Sequence, residues 1–159
     1  MNKLSLAIGG DHAGFHLKGL VIEFLKNEGH SVKDCGSYDP APVDFPDIAR
    51  AVCARVREGK AERGVLVCGT GVGACIAANK IPGIRASLCH DVYCAHQCVE
   101  HDNVNVVCLG AQVVGDELAK DCLRAFLSAS FSTAGEFRRR VAKLGEMERA
   151  AALEWSQNS

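Results

Sequence analysis

The sequence has no apolar run long enough to cross a bilayer, which excludes a helical membrane span. It has almost no net charge: 18 Lys and Arg against 19 Asp and Glu leave −1 at pH 7. That removes the basic field on which nucleic-acid or anionic-membrane binding depends. The opening MNKLSLAIGGDH has too short an apolar stretch, and too acidic a follow-up, for a signal peptide, so a cytoplasmic location is expected. Repeats, low-complexity stretches and long linkers are missing, which makes residues 1–159 one expected domain. C-x-x-C is missing too, although nine cysteines are present. An odd count at irregular spacing argues against a disulfide framework. Cys35, Cys53, Cys89, Cys108 and Cys122 lie in apolar segments and read as small core hydrophobes.

What is present is alternation. Apolar runs at 3–9, 30–35, 64–68, 84–89 and 104–110 predict five short strands. Between and after them, helical spacing predicts helices over 15–28, 47–58, 73–80, 91–100, 115–128 and 135–155, the last heavily charged. Three prolines and a glycine make 36–46 a loop. This order predicts an α/β, Rossmann-like fold. A doubly wound five-stranded parallel sheet would form the middle of three αβα layers, with an extended C-terminal helix. In such a sheet ligands bind beyond the strands' carboxyl ends. The residues there are Gly9, Gly10, Asp11 and His12, then Cys68-Gly69-Thr70-Gly71, His90 and Asp91, and Gly110, Ala111 and Gln112.

The densest of these stretches is CGTGVG at 68–73. Its glycine spacing is one residue short of a dinucleotide fingerprint, and it comes after the third strand rather than the first. It lacks the G-K-[ST] ending of a P-loop. What remains is a glycine-rich turn whose N–H groups suit a negative oxygen. Cys68 is there a nucleophile, a general base, or simply a core cysteine ending a buried strand. Asp11 is either a site carboxylate or a helix N-cap. His101, just before the fifth strand, is expected within reach of the neighbouring strand ends. His90, Cys94, Cys98 and His101 fall on one predicted helix face, too extended for one metal ion. Arg138, Arg139 and Arg140, with Arg124 and Lys143 expected nearby, form a solvated face or an anion cluster.

Five motifs then occur in order: GGDHAGF-x-LK (9–18), VDFPDIA (43–49), CGTGVG-x-x-IAANK-x-x-GIRA (68–86), EH-x-x-x-NV-x-x-LG (100–110) and VVG-x-ELAK (113–120). Together they resemble type B ribose-5-phosphate isomerase, in the ribose/galactose isomerase family, over nearly the whole chain. The resemblance implies a cofactor-free, metal-free aldose–ketose isomerase working on ribose 5-phosphate through a cis-enediolate. It implies Cys68 as the base between C1 and C2, Thr70 assisting at the sugar oxygens, and the amides of Gly71, Val72 and Gly73 holding the enediolate oxygen. It assigns ring opening to His101 with Asp11 at the ring-side hydroxyl. His12, Asp44, Gly69, Asp102 and Arg140 are implied substrate contacts. The implied assembly is a homodimer with shared sites, in some relatives a tetramer, with no nucleic-acid or membrane partner.

Departures cluster at one end of the substrate. Asp102 stands for the usual asparagine, Gln112 for an arginine, and Glu136-Phe137 for an Arg-His pair, while Ala74 replaces the glutamate base of some relatives. Two lost charge-assisted contacts to phosphate would cost about 3–6 kcal/mol, at about 1.5–3 each. The same chemistry on another sugar phosphate, or on a sugar without phosphate, is the second expectation; a silent binding module is the third.

Overall fold

Strand order brings the Asp11 segment onto the end of the strand that carries Cys68. The computed structural model describes residues 3–157. Its elements alternate as β1 (Ser5–Gly10), α1 (Phe15–Asn27), β2 (Ser31–Asp34), α2 (Phe45–Arg57), β3 (Arg63–Cys68), α3 (Val72–Ala78), β4 (Ala86–Leu88), α4 (Val92–Asp102), β5 (Val106–Gly110), α5 (Asp116–Ser128) and α6 (Gly135–Gln157). The five strands pair in parallel in the order β2-β1-β3-β5-β4. From β1 the chain goes first to one side, to β2, and then crosses to β3 on the other. The carboxyl ends of β1 and β3 therefore flank the reversal point, where a parallel sheet opens a crevice.

Each central strand is apolar on both faces because helices cover both. Leu6 and Ile8 of β1, Val65 and Val67 of β3, and Val107 and Leu109 of β5 pack with α1, α4 and α5 around Phe126. The alternate residues Ala7, Leu66, Cys68, Val106 and Cys108 pack under α2 and α3 with Ala49, Cys53, Ala74 and Ala78. This second layer is built of small side chains, and Cys53 and Cys108 serve there as compact apolar groups. Cys89 and Cys122 do the same in the first layer; Cys35 is only half-buried.

The observed elements correct the sequence expectations at several points. α2 begins at Phe45 inside the expected loop, because Pro46 occupies its first turn, where no amide partner is needed. α4 begins at Val92, so His90 lies before the helix rather than on a common face with Cys94, Cys98 and His101; Asp91 is the N-cap and accepts Cys94 N–H at 2.7 Å. Arg124 does not join the tail arginines: it bonds Glu28 and Asp121 and covers the Phe24 ring. α6 has no buried residue along its 23 positions and carries Leu144, Met147 and Leu153 exposed. No helix among the described residues is long and apolar enough to cross a membrane.

Candidate active site

At the carboxyl edge, the chain after β1 lies directly on the end of β3. Asp11 N–H donates to Val67 O at 3.2 Å. Gly14 makes the approach possible, since a Cβ there would lie 2.2 Å from Val67 O. Asp11 is buried, and its Oδ1 accepts Gly14 N–H at 3.0 Å. Asp11 thus closes the turn before α1 but is not the expected helix N-cap, a position that Gly14 occupies without a side-chain capping bond. His12 is exposed beside it, with Nδ1 accepting Val43 N–H at 3.4 Å.

Cys68 ends β3 at 5% exposure. Its Sγ accepts Gly71 N–H at 3.1 Å, so the loop folds back on its own thiol. Gly71 has φ +79°, a left-handed conformation that suits glycine. Thr70 Oγ1 accepts Val72 N–H at 3.3 Å. The helix ladder starts with Cys75 N–H to Gly71 O, so the Gly73 and Ala74 amides lie in the first turn without an intrahelical acceptor. Of the three amides expected to hold an enediolate oxygen, two therefore have intrachain acceptors and Gly73 is the one in open register. Gln112 closes this edge: its N–H donates to Gly69 O at 2.9 Å and its carboxamide lies over Gly69. Asp44, exposed, is the N-cap of α2, and the Phe45 ring beside it covers Gly73.

His101 is not at this edge. It occupies the last turn of α4, before β5 begins, at the amino end of the sheet. Val106 pairs near Gly64, four residues before Cys68. At about 3.3 Å per residue that separates the two ends by more than ~13 Å along the strands. In a parallel sheet the segment entering β5 and the loop leaving β3 lie at opposite ends, so nearness in sequence to a strand was the wrong guide. With His101 at the amino edge are exposed Asp102 and, from α6, Phe137 and Arg140. The His101 and Phe137 rings stack at 4.1 Å and 17°, and the Arg140 guanidinium lies 5.6 Å from the Phe137 centroid. Arg138 covers Phe131 instead. Glu136 is exposed in the first turn of α6, where a carboxylate suits the helix dipole. No cluster of three metal-ligating side chains occurs among the described residues.

Two features were missed in sequence. Phe137 as the platform for His101 had no signal beyond its place in the tail. Lys18 stood in plain view in GGDHAGF-x-LK and is buried beside the site.

A thiol over a turn of amides, at the reversal point of a parallel sheet, is an arrangement that can take up a proton beside a place for a negative oxygen. The Ribose/Galactose Isomerase family model matches residues 6–144, and the chain belongs to that family: it is an aldose–ketose isomerase of the sugar-phosphate isomerase type. The D-erythrulose-4-phosphate isomerase of Pectobacterium atrosepticum is 44% identical over 148 residues, covering 91% of this chain and 95% of that one. Ribose-5-phosphate isomerase B of Escherichia coli is 40% identical over 143 residues, covering 90% and 95%. The solved ribose-5-phosphate isomerase B of Clostridium thermocellum superposes with a TM-score of 0.89 at 42% identity, covering 92% of this chain and 98% of that one.

Proposed function

We propose that the protein interconverts ribose 5-phosphate and ribulose 5-phosphate through a cis-enediolate, without a metal or cofactor. The observation that carries the reading is Cys68 Sγ, at the end of β3, accepting Gly71 N–H at 3.1 Å, with the Asp11 amide bonded to the neighbouring Val67 O. Cys68 as thiolate takes the C2 proton of the open-chain aldose, leaving an enediolate with its charge on O1. It then returns that proton to C1 as the O2 proton moves to O1, leaving the ketose and the thiolate. The Gly73 amide stabilises the oxygen that carries the intermediate's charge, and Thr70 Oγ1 passes protons between the two oxygens.

Ring opening needs an acid–base group that one chain does not bring to Cys68. A two-fold dimer joining the carboxyl edge of one protomer to the amino edge of its partner would supply the partner subunit's His101, with Arg140 and Asp102 alongside. The opposite placement of the two half-sites supports this assembly. Nine free thiols suit a reducing, cytoplasmic setting.

A second reading, the same reaction on a four-carbon sugar phosphate, is favoured by the 44% identity to an erythrulose-4-phosphate isomerase. Neutral Gln112 at the carboxyl edge and Glu136 on α6 weaken the grip on a dianion relative to two arginines, and so loosen the tie to one chain length.

The test is deuterium uptake at C1 and C2, monitored by NMR in deuterium oxide with chelator present. The panel contains four-, five- and six-carbon aldoses with and without terminal phosphate. Turnover of ribose 5-phosphate that disappears in Cys68→Ala supports the first reading. A preference for erythrose 4-phosphate supports the second. Turnover that requires added metal overturns the base assignment.

A further inference from the structure

Lys18 is the fourth residue of α1 and is 2% exposed. Its ammonium donates to both carboxylate oxygens of Asp34 at 2.9 Å and to Ser37 O at 2.5 Å. The Phe15 and Tyr38 ring centroids each lie 5.6 Å from it. All three ammonium protons are thereby used, as a buried cation requires.

What this cation grips is the strap between β2 and α2, residues 35–44. Asp34 Oδ1 also accepts Gly36 N–H at 2.9 Å. Gly10 N–H donates to Gly36 O at 2.8 Å and Ser37 N–H to Gly10 O at 2.6 Å, so the strap is tied to the end of β1, next to Asp11. Ser37 Oγ donates onward to Asp39 O, and Asp39 Oδ1 accepts Ala41 N–H. At its far end Val43 N–H reaches His12 Nδ1. A ring nitrogen that accepts a hydrogen bond carries no proton, so neutral His12 holds its proton on Nε2 as a donor. The strap ends on Asp44, just before Phe45 closes over Gly73.

We propose that Lys18 is a positioning residue of the isomerase: its buried ammonium fixes the 35–44 strap, and through it the tautomer and aim of His12 and the placement of Asp44. The inference rests on the sugar-phosphate reading of the site, in which His12 and Asp44 face substrate. Lys18 itself touches no substrate.

The test compares Lys18→Met, Lys18→Arg and Asp34→Asn in the full chain. Side-chain ¹⁵N NMR reads the His12 tautomer, and steady-state kinetics on the best sugar phosphate read KM and kcat. In the wild type, His12 should show an unprotonated Nδ1 and a protonated Nε2. Lys18→Met should mix the tautomers and raise KM about tenfold while kcat falls less than about threefold, because ground-state alignment is lost and the base is untouched. Lys18→Arg should recover part of both signals. If Lys18→Met does not fold, Asp34→Asn, which keeps the shape and loses the charge, carries the same comparison. A Lys18→Met protein with the wild-type His12 spectrum and KM overturns the inference. So does an equal loss of kcat and kcat/KM with an unchanged tautomer. The His12 spectrum decides the inference even if the wild type turns over no sugar phosphate, an outcome that sinks the parent reading alone.

Discussion

At the carboxyl edge of the sheet the candidate reactive groups are held by backbone; at the amino edge they are held by side chains. Cys68 Sγ takes an amide from its own loop, Asp11 takes one from Gly14, and Gly71 fits the turn with a left-handed φ. His101, by contrast, is oriented by the Phe137 ring and a helix end. A backbone-built half-site is rigid and tolerates few substitutions. A side-chain platform on a surface helix can vary without disturbing the core, since α6 buries no residue. On the proposed reading, proton transfer rests on the backbone-built edge and ring opening on the side-chain platform.

The largest effect that would break this comparison is at Cys68. Cys68→Ala should lower kcat by about 10²–10⁴, the usual worth of a placed general base. His101→Asn should also impair turnover of ring-form substrate. If the edges of two protomers make one site, unfolding and co-refolding these variants in equal amounts should restore about a quarter of wild-type activity. Half the dimers would then be mixed, each with one intact site of two. Activity measured by C1/C2 deuterium exchange that stays at the level of the single variants would show that each chain completes its own site.

Next is Gly71→Ala. A Cβ there would lie 2.4 Å from Leu88 Cδ1 and 3.0 Å from the Leu109 carbonyl carbon, at φ +79°. The strain should cost about 1–3 kcal/mol and lower Tm by about 2–10 °C, with a further fall in kcat as the amides leave Cys68. Calorimetry and kinetics on the same sample would check both. At the other edge, Phe137→Ala should leave Tm nearly unchanged, because α6 buries no residue. It should cost about 0.5–1.5 kcal/mol of His101 orientation, a loss of about two- to tenfold in kcat/KM. Equal Tm losses at the two edges would contradict the contrast.

Legibility in the sequence divides along the same line. Strand–helix alternation and the glycine spacing of CGTGVG are local signals, and they locate the sheet, the loop and Cys68. Pro46 misled because a proline that breaks a helix interior is welcome in a first turn. His101 misled because nearness to a strand in sequence ignores the strand's direction: the segment that enters a strand of a parallel sheet lies at the amino end, away from the loops that leave it. Lys18 and Asp34 are 16 residues apart, and nothing local in either predicts their pairing. Phe137 meets His101 across 36 residues by a packing of helix on helix that the tail's charge pattern concealed.

The smallest effect sharpens the chemistry of the carboxyl edge by separating Cys68 from the thiol nearest it on α3. Cys75 is half-buried, and a hydrogen bond from the Cys108 thiol, with help from the Leu88 backbone and Asn79, holds it down at about 7 against an ordinary 9.0. Cys108 is pushed well up by that same bond and by burial, and keeps its proton. Between pH 7 and 9 the folded chain has released a Cys75 proton that the unfolded chain still binds. Stability linked to Cys75 therefore rises with pH across that window and is lost as the pH falls back through 7. Alkylation of the Cys68→Ala protein, mapped by mass spectrometry, should give a Cys75 rate that reaches half its plateau near pH 7. Cys53, pushed up to about 12 by burial, should stay unmodified in the native fold. Sugar phosphate should slow alkylation of Cys68 in the wild type and leave the Cys75 rate unchanged. Equal protection of both thiols would mean that substrate contacts reach beyond the loop onto the body of α3.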